Sequence, residues 1–484
     1  MRTMSRDERV RRRKRERRRR ANRIYQVAAI LFVLALIVAV VANLVKKDET
    51  FSASENRILT ERPKLGLQEV ASGEYMSQFE SYVSDQFILR DAWIQLKLQL
   101  DKMVGKKESN GVYLGKDGYL MEKLDQPNEE YEKKNLKAIG DFAERHKDQK
   151  VYMSLAPNAA YILKERMPKN APVRDQAEDL KVIQRQVGDK LNFIDLRKTM
   201  EEHASEPIYY KTDHHWTSLG AKYAFEEVAK VLDITPADYK AYTVSTTFSG
   251  TLASKSGYHG QKDTIEVYEP GDVENDYVVF YADDQRKTTS IFERANLKEK
   301  DQYTVFFGGN HTRVDIESPN AQNRCLLMFK DSYANSFVQF LTPYFRKIIL
   351  IDPRYYYDDV EQLIDGEGVT DILFLYNLNT FLTDTSLADV LTSGEDSQNT
   401  GGSGDLAEEG SSENGDLSQT GDSEGEDTTQ AGEEEDAEDS QTEGSEEGDG
   451  AQAEDSEGED NTQAESSEEG DSAQAEDQEE DSSQ

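Results

Sequence analysis

The stretch TDHHWTSLG (Thr212–Gly220) sets Asp213, His214 and His215 side by side, in a chain with only six histidines. A carboxylate beside an imidazole can hold one ring nitrogen and leave the other as a base. Taken as an extended segment, residues i and i+2 share a face, so Asp213 pairs with His215 and His214 points away. A proton donor for that base stands in CLLMFKDSYANSF (Cys325–Phe337). There an apolar run ends at Phe329, Lys330 and Asp331 make a turn, and Ser332 opens a helix. A serine at that junction projects from the C-terminal edge of a sheet, beside the free N–H groups of a helix start. One reading makes Ser332 the nucleophile, His215 the base and Asp213 its orienting acid. On these residues alone Ser332 is equally an N-cap, and the His-Trp turn equally a packing device. A metal site of Asp213, His214 and His215, joined by His259 or His311, is a further alternative. Adjacent histidines rarely reach one ion, and no H-x-x-x-H or H-E-x-x-H spacing occurs, so neither metal nor cofactor is expected. Arg354, in DPRYYYDD just past another strand end, is placed either to hold an anionic or sugar substrate or to form a surface ion pair.

These residues need a sheet whose strand ends meet. Five short apolar runs supply one: Lys150–Asn158, Leu191–Leu196, Arg324–Phe329, Lys347–Asp352 and Asp371–Asn377. Helical patterns at 175–188, 218–232 and 332–341 mostly separate them. Continuous apolar strands alternating with helices predict an α/β domain over 150–385, its largely parallel sheet covered on both faces. Residues 240–310 break the rhythm with polar, β-rich segments such as DYVVFYA and read as an insertion. Ahead of the domain, 48–149 reads as a stem. Tyr75, Phe79, Tyr82, Val83 and Phe87, then Trp93, Leu96 and Leu100, have the spacing of an amphipathic helix pair. NGVYLGKDGYLME then carries a hairpin signal at Lys116-Asp117-Gly118.

The net charge of −38 is unevenly spread. Residues 391–484 hold 35 of the 95 Asp and Glu and no Lys or Arg, so residues 1–390 sit near −3. That stretch lacks aromatics and repeats AQAED, which predicts a disordered acidic tail. The first 23 residues hold 13 Lys and Arg against 3 acids. Next comes an apolar run over 24–45, long enough for one transmembrane helix. The positive-inside rule puts residues 1–23 in the cytoplasm and the main domain outside the cell membrane. A cleaved signal peptide is the rival reading. Beside a membrane helix the basic cluster suits anionic lipid, and no nucleic-acid partner is expected. The single cysteine, Cys325, sits in an apolar run and reads as a small buried residue. A disulfide-free ectodomain suits a bacterial surface protein.

The D-H-H-W string, followed about 115 residues later by a strand and K-D-S-Y, resembles the DHHW family. That family is similar to the SGNH hydrolase-like domain of the alginate O-acetyltransferases AlgJ and AlgX. There a D-x-H-W motif precedes G-[DT]-S-[FY], and SDQFILRDAW and VYLGKDGYL also resemble the segment ahead of the domain. The resemblance implies a three-layer α/β/α sandwich with Asp213, His215 and Ser332 as its triad and Trp216 as the motif tryptophan. Gly309 and Asn310, in FFGGNHT, would be the oxyanion donors such enzymes draw from a glycine N–H and an asparagine side chain, though a plain turn explains G-G-N equally well. The implied activity is O-acetyl transfer to, or removal from, a cell-surface polysaccharide, with a membrane-bound O-acyltransferase as partner. Lys330 departs from the motif glycine, which leaves open a non-catalytic glycan-binding or scaffold protein on the same fold. A metal-dependent deacetylase is the other alternative.

Overall fold

The computed structural model describes residues 6–52, 54–55, 57–271, 273–319 and 322–399. The acidic stretch from 400 onward, expected as a tail, lies outside the described residues. The basic cluster and the apolar run form one continuous helix, α1 (Arg6–Val45). Its segment Lys14–Val45 is long and apolar enough to cross a membrane. The paired amphipathic patterns become α2 (Glu74–Asp85) and α3 (Arg90–Met103). Strands Val112–Leu114 and Leu120–Glu122 then pair antiparallel around Lys116–Gly118.

The central sheet has eight strands: β1 (Lys150–Ala156), β2 (Asn192–Ile194), β3 (Val278–Tyr281), β4 (Arg286–Thr288), β5 (Arg313–Glu317), β6 (Cys325–Lys330), β7 (Lys347–Ile351) and β8 (Asp371–Asn377). Their order is β4-β3-β5-β7-β6-β8-β1-β2. The five apolar runs are the parallel block β7-β6-β8-β1-β2. β5, β3 and β4 extend it antiparallel. The β-rich stretch at 240–310 is therefore divided. Tyr239–Phe248 and Asp263–Pro270 make a separate antiparallel ribbon, while β3 and β4 join the main sheet through β5.

Helices cover both faces. α4 (Glu129–Arg145) and α5 (Gln176–Val187) lie on one, with α6 (Ser218–Val231) on the other. The short α7 (Thr251–Ser256) follows the first ribbon strand, and α8 (Tyr333–Phe337) follows β6. α9 (Val360–Glu367) and α10 (Leu387–Asn399) complete the α4 face. Side-chain alternation along β6 shows the layering: Leu326 and Met328 enter the α6 core, Leu327 and Phe329 the α4 core. Each such fully buried side chain contributes about 1.5–3 kcal/mol. Cys325 belongs to the α4 core, where burial pushes its thiol up to about 11. α10 buries Leu391 in the same core, so the α/β domain runs past the expected start of the acidic tail.

Candidate active site

Ser332 stands where the chain leaves the C-terminal end of β6. Its backbone is helical (φ −65°, ψ −18°), yet its side chain makes no cap bond. Asp331 holds the turn from beneath. Its carboxylate accepts the Tyr333 N–H at 2.9 Å and the Asn377 N–H, at the end of β8, at 2.8 Å. The half-buried Ser332 hydroxyl is left to face the loop ahead of α6.

That loop is bent rather than extended. Asp263, at the start of the second ribbon strand, accepts the Lys211 and Thr212 N–H groups, each at 2.8 Å. Trp216 bridges to Tyr209, and Thr217 caps α6 through the Gly220 N–H. In the bend, Asp213 Oδ1 accepts the His215 backbone N–H at 3.0 Å and lies 2.6 Å from its ring Nδ1. His215 Nε2 in turn lies 2.8 Å from Ser332 Oγ. With Nδ1–H donating to Asp213, Nε2 is the lone-pair nitrogen that accepts the serine proton. Asp213, His215 and Ser332 thus form one hydrogen-bonded line.

The expectation that His214 points away is corrected. The bend brings its ring to 3.9 Å from the His215 ring, and its Nδ1 to 2.8 Å from Thr251 Oγ1. Asp213, His214 and His215 offer ligand atoms within 4.8 Å of one another, the spacing a cation would need. Both His215 nitrogens and one of His214 are, however, committed to protein groups. His311 is engaged elsewhere, with Asp283 and the Phe307 carbonyl.

Asp213 is buried, which alone would raise its pKa. The charges of His214 and His215, the His215 ring N–H and the Thr251 N–H outweigh burial and hold it well below the carboxylate range. Thr251, at the start of α7, gives Asp213 Oδ2 two donors, its N–H at 2.8 Å and its hydroxyl at 3.0 Å. Gly250 permits this approach, because a Cβ there would lie 2.3 Å from the Asp213 side chain. For His215, burial comes first and His214 second in lowering its pKa to about 4, against the opposing pull of Asp213. It is neutral at pH 7.

Three further groups complete the site. Trp216 is fully buried and donates to the Tyr333 carbonyl at 2.9 Å, tying the His loop to α8. Tyr303 stacks on the His215 ring, centroids 3.9 Å apart and 12° from parallel, and its hydroxyl donates to the Ser332 carbonyl at 3.0 Å. Arg354 follows β7 at the same sheet edge, paired bidentate with buried Asp352 at 2.8 and 2.6 Å. Its charge reaches His215 and Asp331.

Lys330 is buried. Its Nζ lies 2.9 Å from Asn335 Oδ1, 3.5 Å from Asn310 Oδ1 and 3.9 Å from Asp352. The side chain thus fills a polar niche beside Asn310, where burial lowers its pKa. Asn335 Nδ2 also donates to Asn310 Oδ1, at 3.3 Å, which leaves the Asn310 amide nitrogen turned away from both. The Gly309 N–H is used on the Phe306 carbonyl at 3.4 Å.

Residues 112–310 match the family model described as SGNH hydrolase-like domain, acetyltransferase AlgX. The match includes Asp213, His215, Gly309 and Asn310 and ends ahead of Ser332. The crystal structure of a DHHW family protein from Eubacterium siraeum is similar at 24% identity and a TM-score of 0.51, over 59% of this chain and 96% of that one. This is an SGNH hydrolase-like fold. PatB1 of Bacillus cereus, solved with a sulfonyl adduct, has 19% identity and a TM-score of 0.48 over 58% of this chain and 97% of its own. The O-acetyltransferase domain of Pseudomonas putida AlgJ has 16% identity and a TM-score of 0.39 over 58% and 99%. No curated protein matches the chain.

Within the SGNH hydrolase-like domain, sequence reasoning missed Thr251, Tyr303 and Asp263. F-S-G-T-L-A-S carries the one available hint, a glycine and threonine opening a helix. Tyr303 and Asp263 have no spacing relation to the motif.

Proposed function

We propose that this chain is a serine-dependent acyl-transfer enzyme acting on O-acetyl esters of a cell-surface polysaccharide. The observation that carries the reading is the unbroken line Asp213–His215–Ser332, at 2.6 and 2.8 Å, at the C-terminal edge of the sheet. Ser332 Oγ bonds to the acyl carbon as its proton passes to His215 Nε2. The leaving alcohol takes that proton when the tetrahedral oxyanion collapses. A second hydroxyl, from a sugar or from water, then releases the acyl group by the reverse steps. Asp213 orients the ring and balances the imidazolium. The Asn310 amide nitrogen is the oxyanion donor on this reading, with Lys330 and Asn335 holding its oxygen. Arg354, half-exposed at the rim, binds an anionic or sugar substrate.

The match to an acetyltransferase family model supports acetyl as the acyl group. α1 anchors the chain, with the arginine-rich end cytoplasmic and the domain outside, so a membrane-bound O-acyltransferase is the fitting donor partner. The test uses full-length protein and p-nitrophenyl acetate, with and without an acidic polysaccharide. Nitrophenolate release should fall about a thousandfold or more in Ser332→Ala and His215→Ala. Acetyl recovered on the glycan identifies a transferase, and free acetate an esterase. Equal rates in Ser332→Ala and the parent chain would overturn Ser332 as the nucleophile.

A further inference from the structure

α2 and α3 each carry a stripe of exposed apolar side chains. Met76, Phe79, Val83 and Phe87 recur at helical spacing along and just past the first. Trp93, Leu96, Leu100 and Met103 do so on the second, and all of them are exposed. These are not core faces left unpacked. α3 turns a different face to the α/β domain, where Leu98 is buried and Gln95 Nε2 donates to the Gly257 carbonyl at 2.5 Å. Apolar surface this continuous marks an interaction site.

The height of the stripes along α1 is fixed by hydrogen bonds. Asn43, in the last turn of α1, accepts the Ile88 N–H at 2.7 Å. Asp48 accepts from the Tyr82 hydroxyl at 3.1 Å, and Gln86 exchanges bonds of 3.0 and 2.8 Å with Glu49. The turn between α2 and α3 is therefore pinned where the apolar helix ends. In that turn Leu89 is held at φ 55°, a conformation uncommon for a residue with a side chain, and is exposed.

We propose that α2 and α3 form a membrane-interface hairpin whose apolar stripes rest in the bilayer boundary at the C-terminal end of α1. Lipid is the occupant because the stripes begin where the lipid-facing surface of α1 stops. The second stripe also includes Trp93, a side chain that favours the boundary layer. The α/β domain is then held by a span and a surface hairpin together, at a fixed height above the membrane. This inference rests on the reading of α1 as a membrane span.

The chain has two tryptophans, and only Trp93 is exposed. Full-length protein is reconstituted into nanodiscs of lipids brominated along the acyl chains, or of the unbrominated lipids. The expected result is loss of tryptophan emission in brominated discs, absent in Trp93→Phe and restored when Phe79→Trp is added to it. Unquenched Trp93 in protein that co-elutes with the discs overturns the hairpin and leaves the span intact. Shielding of that unquenched Trp93 from acrylamide would assign the stripe to a protein partner or a second copy instead. Protein that elutes apart from the discs overturns the span, and the hairpin with it.

Discussion

The Tyr303 ring lies flat on the His215 imidazole, centroids 3.9 Å apart, while its hydroxyl holds the Ser332 carbonyl at 3.0 Å. One side chain from outside the D-H-H-W and K-D-S-Y motifs thus holds His215 and Ser332 together. Tyr303→Phe should keep the stack and lose about 1 kcal/mol of stability with the buried hydroxyl. Tyr303→Ala should cost about 3–5 kcal/mol. It should also lower kcat at least about tenfold, the effect of ~1.4 kcal/mol of lost orientation. Thermal unfolding and esterase kinetics on the pair check this; full kcat in Tyr303→Ala contradicts it.

Gly250 and Thr251 grip Asp213 from the other side. A methyl group at 250 would lie 2.3 Å from the Asp213 carboxylate, so Gly250→Ala must displace the acid. A shift of that size should lower kcat about a hundredfold. Thr251→Val keeps the backbone donor and removes the hydroxyl bond to Asp213, so its loss should be smaller, with KM unchanged. Equal kcat in Gly250→Ala and the parent chain would show that the carboxylate position is immaterial.

The pH profile carries a sign that can be checked. On the proposed mechanism the base is neutral His215, whose pKa burial and the neighbouring His214 lower to about 4. kcat/KM for p-nitrophenyl acetate should therefore stay level from neutrality down to about pH 5, then fall as the imidazole protonates. In the unfolded chain the same histidine titrates near an ordinary value of about 6.5. The unfolded state thus holds more protons between about 4 and 6.5, and His215 lowers stability as pH falls through that window. An activity midpoint near 6.5 would mean that His215 is not the buried neutral base.

Metal removal separates the triad from the Asp213, His214 and His215 cluster as a cation site. EDTA should leave esterase activity unchanged, and His214→Gln should retain most of it, because His214 bonds to Thr251 rather than to Ser332. Activity that disappears with EDTA and persists in Ser332→Ala would instead support the metal-dependent deacetylase.

The parallel block was legible because β1, β6, β7 and β8 are buried on both faces and read as apolar runs, as CLLMF does. β3 and β4 were read as part of an insertion. Their residues alternate, and pairing to β5 is a long-range event that leaves no local mark. The link between Asp213 and His215 was legible, but the strand geometry assumed for it was not. Asp263 bends the loop from about 50 residues away, and the bend is what gathers His214 into the cluster. Lys330 looked like a defect in the motif, whereas the niche of Asn335, Asn310 and Asp352 that receives it exists only in the folded chain.

The most direct measurement is peptide mass spectrometry of the full-length protein quenched in acid during turnover of p-nitrophenyl acetate. The expected result is an acetyl group on the peptide bearing Ser332, absent from Ser332→Ala and much reduced in His215→Ala. No acetyl on Ser332 in protein that is turning over substrate, or the same label in Ser332→Ala, would contradict Ser332 as the nucleophile.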